Sequence, residues 1–429
     1  MVSSQKIYQA YISTSQISTD TRQDVKDTIF FALSGDRFNG NLFAAKALEK
    51  GARYAVVDDP QVVDGEQYLL VKDVLVSLQE LAKLHRSRNL IPLLAITGSN
   101  GKTTTKNLIS AVLSTSRQIL STAGNYNNHI GVPITLLGIT RDTEYAVVEM
   151  GANHIGEIGQ LCQLALPNVG IITNIGKAHL EGFGSYEGVI RAKSELYNFL
   201  RDTQGTVIVN ADDPLLMELS EGINRFTYGR ENADVKARIT RYNPYLSIHW
   251  EYQGNGYELD TFLYGKYNFS NILAAISSGL YFGIPADRIN QAIGQFKPDD
   301  SRSQVMRTNT NQIILDAYNA NPVSMSEAIL SFKEYRKENQ WLILGDMFEL
   351  GEAAVEEHRA IVDLLVQNRF QNVLFAGEIF HSLEMPEGFL SFPNTDELDK
   401  HLLENPLRNA HILIKGSRGM RLEKVLNLL

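Results

Sequence analysis

Short apolar runs recur along the chain, each followed by a polar turn and then by a stretch whose apolar residues fall three or four apart. That alternation predicts β-strands feeding α-helices. The clearest case begins at residue 93. Leu-Leu-Ala-Ile-Thr runs into Gly98, Ser99, Asn100, Gly101, Lys102, Thr103, Thr104 and Thr105, and apolar positions return at Leu108, Ile109, Val112 and Leu113. Ahead of it, residues 29–33 and 54–57 read as buried strands, with a helix at 41–50 closed by Gly51. Beyond it, strands are expected at 145–148, 169–173 and 206–209, and helices at 188–200 and 268–281. Residues 233–264 switch to period-two alternation around a turn at 254–256, which predicts a small antiparallel insert. After a polar junction at 297–301, strands are expected at 313–315, 341–344, 372–375 and 412–414, with helices between and after them. The pattern predicts an α/β protein of three domains. These are a small α/β N-terminal domain (1–83), a central doubly wound, mainly parallel sheet with the antiparallel insert (84–300), and a C-terminal Rossmann-like domain (301–429).

Composition narrows the class. Of 429 residues, 44% are hydrophobic and 21% charged, which are globular values, and the net charge of -9 with no basic run argues against a nucleic-acid partner. A single cysteine, Cys162, excludes an internal disulfide framework and fits a reducing cytoplasm. The opening residues lack the apolar core of a signal peptide, and no apolar run reaches membrane-spanning length.

Candidate chemistry clusters where strands end. Gly98 to Thr104 form a G-x-x-G-K-T loop, two residues shorter than the usual P-loop. Glycines let backbone N–H groups curl round phosphate oxygens, and the following helix adds a partial positive charge. Lys102 can reach the outer phosphates and the Thr103 hydroxyl can hold Mg²⁺. Glu149, at the end of the 145–148 run, reads as a Mg²⁺ ligand, directly or through water, or as a solvated strand-end carboxylate. His179 reads as a metal ligand or as a satisfied loop histidine, and Lys193 on its helix as a solvated lysine. Polar loops at 18–22 and 34–40 suit a phosphate- and sugar-bearing ligand, or are ordinary turns. The C-terminal domain has no G-x-G-x-x-G after its first strand, so dinucleotide binding is not indicated. Polar motifs instead follow its strands at 316–322, 345–347 and 415–419.

From about Ser18 onward the chain resembles the Mur ligases of bacterial cell-wall synthesis. The likeness is carried by T-G-S-N-G-K-T-T-T at 97–105, E-M-G-A-N-H-I-G-E-I at 149–158, N-I-G-K-A-H-L-E at 174–181, D-A-Y-N-A-N-P at 316–322 and L-G-D-M at 344–347. The D-N-P-R motif of the diaminopimelate-adding member is absent, and His129 stands where the family often has an acidic residue. The resemblance implies ATP and Mg²⁺ as cofactors. Gly98, Ser99, Asn100, Gly101, Lys102, Thr103 and Thr104 would bind phosphates. Thr103 and Glu149 would hold one Mg²⁺, while His179 and Lys193, a lysine often carbamoylated in the family, would serve a second. Asn268 and Asn271 would lie on the adenine side, with Arg302 and the ribose-binding Asp316 supplied by the third domain. Ser18, Asp20, Arg22 and Gly35 would hold the UDP-sugar end. Asn127 and Asn128 match the family's pattern as substrate contacts, and Tyr318, Asn319 and Asn321 would line the cleft for the incoming dipeptide.

The implied reaction joins UDP-N-acetylmuramoyl-tripeptide to D-alanyl-D-alanine through an acyl phosphate, with Lys102, Glu149, His179, Lys193 and Arg302 as the catalytic set. A cytoplasmic monomer is expected, with no nucleic acid partner and no membrane insertion. Short links between three domains suggest closure around the ligands. Folylpolyglutamate synthetase is the nearest rival, but it lacks a separate UDP-binding domain. A P-loop ATPase or nucleotide switch would explain Lys102, Thr103 and Glu149 and leave the C-terminal motifs unused.

Overall fold

The computed structural model describes residues 1–14, 16–35, 38–242, 244–298, 301–335 and 337–429. Asp36 and Arg37 of the expected 34–40 loop, and Asp299 and Asp300 of the expected junction, lie outside the described residues.

Three sheets form among them, with four, nine and six strands. The first is wholly parallel and takes Ile17–Ser18, Ile29–Phe31, Tyr54–Val57 and Tyr68–Leu70 in chain order. The expected strand at 29–33 stops at Phe31, and the helix expected at 41–50 is a 3-10 turn, Gly40–Phe43, running into Ala44–Glu49.

The P-loop strand, Leu93–Thr97, lies inside the nine-stranded sheet, paired in parallel with Tyr145–Glu149 on one side and Val169–Ile172 on the other. Its side chains divide by the period of two. Leu93 and Ala95 face one apolar core, while Leu94 and Ile96 face another. A strand buried on both faces reads as a continuous apolar run, which is why residues 93–97 show no alternation. The register sets Glu149 opposite Ile96, two residues before Gly98. Strands to either side of Leu93–Thr97 are reached by opposite turns of the chain, so the crevice at its C-terminal end is where a ligand fits.

The antiparallel segment is not a free-standing insert. Val235–Tyr242 pairs in parallel with Asn224–Gly229, and Tyr245–Tyr252 and Asn255–Tyr264 then extend the same sheet. Edge hydrogen bonds of the central sheet are satisfied this way. The C-terminal sheet is parallel except for Gln304–Arg307, an antiparallel edge strand that sequence patterning missed. Helix Ser4–Thr14 and strands Ile17–Ser18, Tyr68–Leu70, Asn224–Gly229 and Phe389–Phe392 were also not foreseen. They are short or weakly periodic, and most strengthen an edge rather than build a core.

Helix Val74–Arg88 runs straight across the expected boundary at residue 83. One apolar cluster passes through it, from Ile7, Phe31 and Val56 by way of Leu78 and Leu81 to Val132, Leu136 and Val148. Arg86 pins the junction. It is 1% exposed, and its guanidinium donates to Ala165 O at 2.7 Å, Leu166 O at 3.1 Å and Asn89 O at 2.6 Å. Two of these carbonyls close the C-terminus of helix Glu157–Ala165. A buried guanidinium saturated by carbonyls replaces water at a helix end whose last C=O groups have no internal partner. Arg86→Met therefore strands those carbonyls and is expected to destabilise the protein by about 3 kcal/mol, read as a lower denaturation midpoint in urea. An unchanged midpoint would mean that the contact is not structural.

Candidate active site

The glycine loop needs its glycines. Gly98 has φ 140° and Gly101 φ 79°, both in the region L side chains avoid. A Cβ on Gly98 would stand 2.1 Å from Thr173 Oγ1, and one on Gly101 2.5 Å from Asn271 Oδ1. The loop is thus wedged between the neighbouring strand end and helix Asn268–Tyr281. Ser99 N and Asn100 N donate to Asn174. Helix Lys102–Leu113 then begins, and its first N–H groups, at Lys102, Thr103 and Thr104, have no partner within the helix and open toward an anion. Lys102 curls back over the loop, with Nζ donating to Gly98 O at 2.7 Å and Ser99 O at 3.2 Å. Burial pushes its pKa down, Glu149 works against that, and the charge of Arg302 adds to it.

Glu149 is 1% exposed. Its Oε1 accepts from Thr103 Oγ1 at 3.2 Å and from Asn127 Nδ2 at 2.8 Å, while Oε2 is buried with no hydrogen-bond partner. A bare carboxylate oxygen beside a hydroxyl, at the mouth of a phosphate loop, is a hard oxygen donor set of the kind Mg²⁺ takes together with phosphate. The residues present therefore fit the ion.

These groups open on one cavity of about 740 Å³. Of the residues expected in the site, Ser99, Asn100, Gly101, Lys102, Thr103, Thr104, Asn127, Asn128, Glu149, His179, Asn268, Asn271, Arg302, Asp316, Tyr318, Asn319 and Asn321 line it. Gly98 lies behind the loop it shapes. Ser18, Asp20, Arg22 and Gly35 are not on this cavity. They lie in the N-terminal unit, Ser18 in its first strand and the others outside its strands, where the Arg22 guanidinium holds the Asp20 carboxyl down at about 2, Ser18 Oγ accepts from Asp20 N and Gly35 pairs with Phe38.

Several expected ligand residues already have structural duties. Asn321 caps helix Pro322–Glu334 through Ser324 N, and its Nδ2 donates to Asn100 Oδ1 at 2.7 Å. It thereby ties the C-terminal unit to the glycine loop. Asn128 Oδ1 accepts from Gly131 N, and Asn319 Oδ1 from Ala320 N. Asn271 joins Thr105 to Asn268, and Asn268 donates to Tyr264 O. Asp316 accepts from Ser303 N at 3.0 Å and from Lys415 Nζ at 2.7 Å. Lys415, Glu327, Glu157 and Asp213 also reach the cavity and had been given no role. The strand-end position of Lys415 and the place of Glu157 in the 149–158 motif were the signals available. Burial raises the pKa of Glu327, against the pull of Lys415.

His179 holds a left-handed backbone, φ 52°, at the start of helix Leu180–Phe183. Its Nδ1 contacts the Glu349 carboxylate of the C-terminal unit, and that contact lowers the pKa of Glu349. Lys177 pairs with Glu357 at 2.8 Å across the same junction.

Lys193 is not the solvated lysine its helix position suggested. It is 2% exposed, with Nζ 5.2 Å from the Phe183 ring centroid, and it stands outside the cavity wall. Burial, reinforced by the charge of Lys102 and opposed by Glu157 and Glu195, brings its pKa down to about 7. Above that pH the folded protein carries a neutral, nucleophilic amine, the form that adds CO₂. With ¹³C-bicarbonate, a carbamate resonance absent from Lys193→Ala should be present at pH 8 and fade as the pH falls through 7. A signal that does not respond to pH in this window would contradict the depressed pKa.

A shortened P-loop in a doubly wound sheet, faced across one cavity by an arginine and an aspartate from a Rossmann-like sheet, defines a three-unit ATP-dependent ligase class. The comparisons give the family. The profile of the Mur ligase middle domain matches residues 96–279, and that of the Mur ligase glutamate ligase domain matches residues 301–418. The chain belongs to the Mur ligase family. It is 35% identical over 424 residues to the UDP-N-acetylmuramoyl-tripeptide--D-alanyl-D-alanine ligase of Bacillus subtilis, covering 95% of this chain and 92% of that protein. Among solved structures, MurF from Acinetobacter baumannii superposes with a TM-score of 0.89 at 29% identity, covering 99% of this chain and 98% of the other. MurF from Thermotoga maritima in complex with ADP gives 0.86 at 25% identity, with 97% of each chain covered.

Proposed function

We propose that this protein joins D-alanyl-D-alanine to UDP-N-acetylmuramoyl-tripeptide, cleaving ATP to ADP and phosphate, in peptidoglycan precursor synthesis. The observation that carries the chemistry is the convergence of the glycine loop, the bare Glu149 oxygen, Arg302 and Asp316 on one cavity. The full-length likeness to the Bacillus subtilis ligase carries the choice of substrates.

The carboxylate of the tripeptide and the terminal phosphate of ATP are both anionic, so their approach needs neutralisation. The free amides at the head of helix Lys102–Leu113, with Lys102 and Arg302, supply it. Thr103 and Glu149 would hold Mg²⁺, which screens phosphate charge when bound. His179 and the carbamate of Lys193 would serve a second ion. Transfer of the phosphoryl group to the carboxylate gives an acyl phosphate and ADP. The dipeptide amine, as free base, then adds to the acyl carbon, and phosphate leaves as the amide forms. Water must be kept from that intermediate, and the third unit, held to the glycine loop through Asn321 and to His179 through Glu349, supplies one wall of the cavity. Residues 1–83, through Ser18, Asp20, Arg22 and Gly35, would anchor the UDP end, residues 84–300 the ATP, and residues 301–429 the acceptor. We assign a cytoplasmic monomer. Among the described residues no helix is long and apolar enough to cross a membrane.

The test is phosphate release from Mg-ATP with each substrate alone and with both. Release that requires both, with a product heavier by one dipeptide, is the expected outcome. Release indifferent to both would make the protein an ATPase, and activity only with a folate and glutamate would make it a different ligase of the superfamily. Lys193→Ala should lose activity by roughly 10- to 100-fold and regain part of it with added short carboxylates. Full activity in that variant would remove Lys193 from the metal site.

A further inference from the structure

Three cations on the cavity wall, Lys102, Arg302 and Arg418, have no carboxylate in ion-pair contact among the described residues. The fourth, Lys415, is taken by Asp316. Lys102 and Arg302 line the same cavity, and in the ligase reading above both serve the phosphoryl end. Arg418 is left without an assignment.

Its surroundings are built. The backbone before it is fixed, because Ser417 N donates to Asp346 O at 3.1 Å and Ser417 Oγ accepts from Phe348 N at 2.9 Å. Ser417 itself is 2% exposed. The guanidinium lies 5.0 Å from the Tyr318 ring centroid and donates through Nη1 to Tyr318 Oη at 3.0 Å. Arg302 stacks on the same ring at 3.5 Å. Tyr318 therefore contacts both arginines, with Arg302 on its face and Arg418 at its hydroxyl. One N–H of Arg418 is spent on orientation, and its other donors remain for a planar, bidentate acceptor.

The proposed reaction has a need that matches. The acceptor carries two ends, an amine that must be neutral and face the acyl carbon, and a carboxylate that takes no part in bond formation. That carboxylate has to be held away from the phosphoryl anion, or it would occupy the same cations. An arginine on the C-terminal wall, held at the hydroxyl of the ring on which the phosphoryl-side arginine stacks, does this.

Resting on the ligase reading above, we propose that Arg418, oriented by Tyr318, receives the free carboxylate of the acceptor and makes the enzyme specific for acceptors ending in an unblocked one.

The experiment compares D-alanyl-D-alanine with its C-terminal amide as acceptor, in the full-length wild type, Arg418→Met, Arg418→Lys and Tyr318→Phe. The wild type should prefer the acid by roughly 10- to 100-fold in kcat/KM. Arg418→Met should reduce that preference to within about threefold, through loss with the acid alone. Its KM for ATP and for the UDP-linked substrate should be unchanged, which also shows that the variant is folded. Arg418→Lys should keep part of the preference, since a point charge replaces a fork, and Tyr318→Phe should weaken it while leaving ATP binding alone. A wild type indifferent to the amide, an Arg418→Met variant that keeps the wild-type preference, or one whose defect falls on the KM for ATP would each overturn the assignment. A wild type that uses neither acceptor would instead sink the ligase reading on which it rests.

Discussion

A buried carboxylate with one oxygen satisfied and the other bare sets the terms of this molecule. Glu149 is held at the end of its strand by the register with Leu93–Thr97 and is bonded through Oε1 to Thr103 and Asn127. An unpaired oxygen of that kind is costly in a low-dielectric setting unless a cation meets it. The surrounding architecture supplies two sources of positive charge, the head of helix Lys102–Leu113 and the side chain of Lys102, on the same cavity as the carboxylate. Once that corner is fixed, phosphate has one place to go, and the remaining groups on the cavity wall acquire their directions relative to it.

The three units are bound by contacts that double as parts of the site. Asn321 caps a C-terminal helix and holds the side chain of Asn100 in the glycine loop. Glu349 reaches His179 from the same unit. At the other end, Arg86 and the shared apolar core make the N-terminal sheet continuous with the central one. The N-terminal unit is therefore anchored through a shared core, whereas the C-terminal unit is anchored through polar groups at the cavity together with an aromatic seam, where Tyr242 and Tyr264 of the central sheet pack into its core.

Much of this was legible in the residues. The strand, glycine loop and helix at 93–113 follow from continuous apolar burial, two left-handed glycines and a 3.6-residue period, and each is a local property. The motifs at 149–158, 174–181, 316–322 and 344–347 pointed to a family that the full-length relatives support. The short edge strands were not legible, because three or four residues carry too little periodicity to stand out. The joining of residues 233–264 to the central sheet was hidden for another reason. Alternation reveals a strand, but not the strand it pairs with.

What the sequence determined by itself was the alternation of strands and helices, the phosphate loop and the inventory of chemical groups, since these depend on neighbours within a few positions of one another. What only the tertiary structure decided was which of those groups are buried and which meet. Lys193 looks solvated on its helix and is enclosed, with its pKa brought down to about 7. Asp316 and Lys415, 99 residues apart, become a pair. Tyr318 comes to contact both Arg302 and Arg418. Desolvation and charge pairing act through space, and the distances that set them exist only once distant strand ends have been brought to one edge of a sheet.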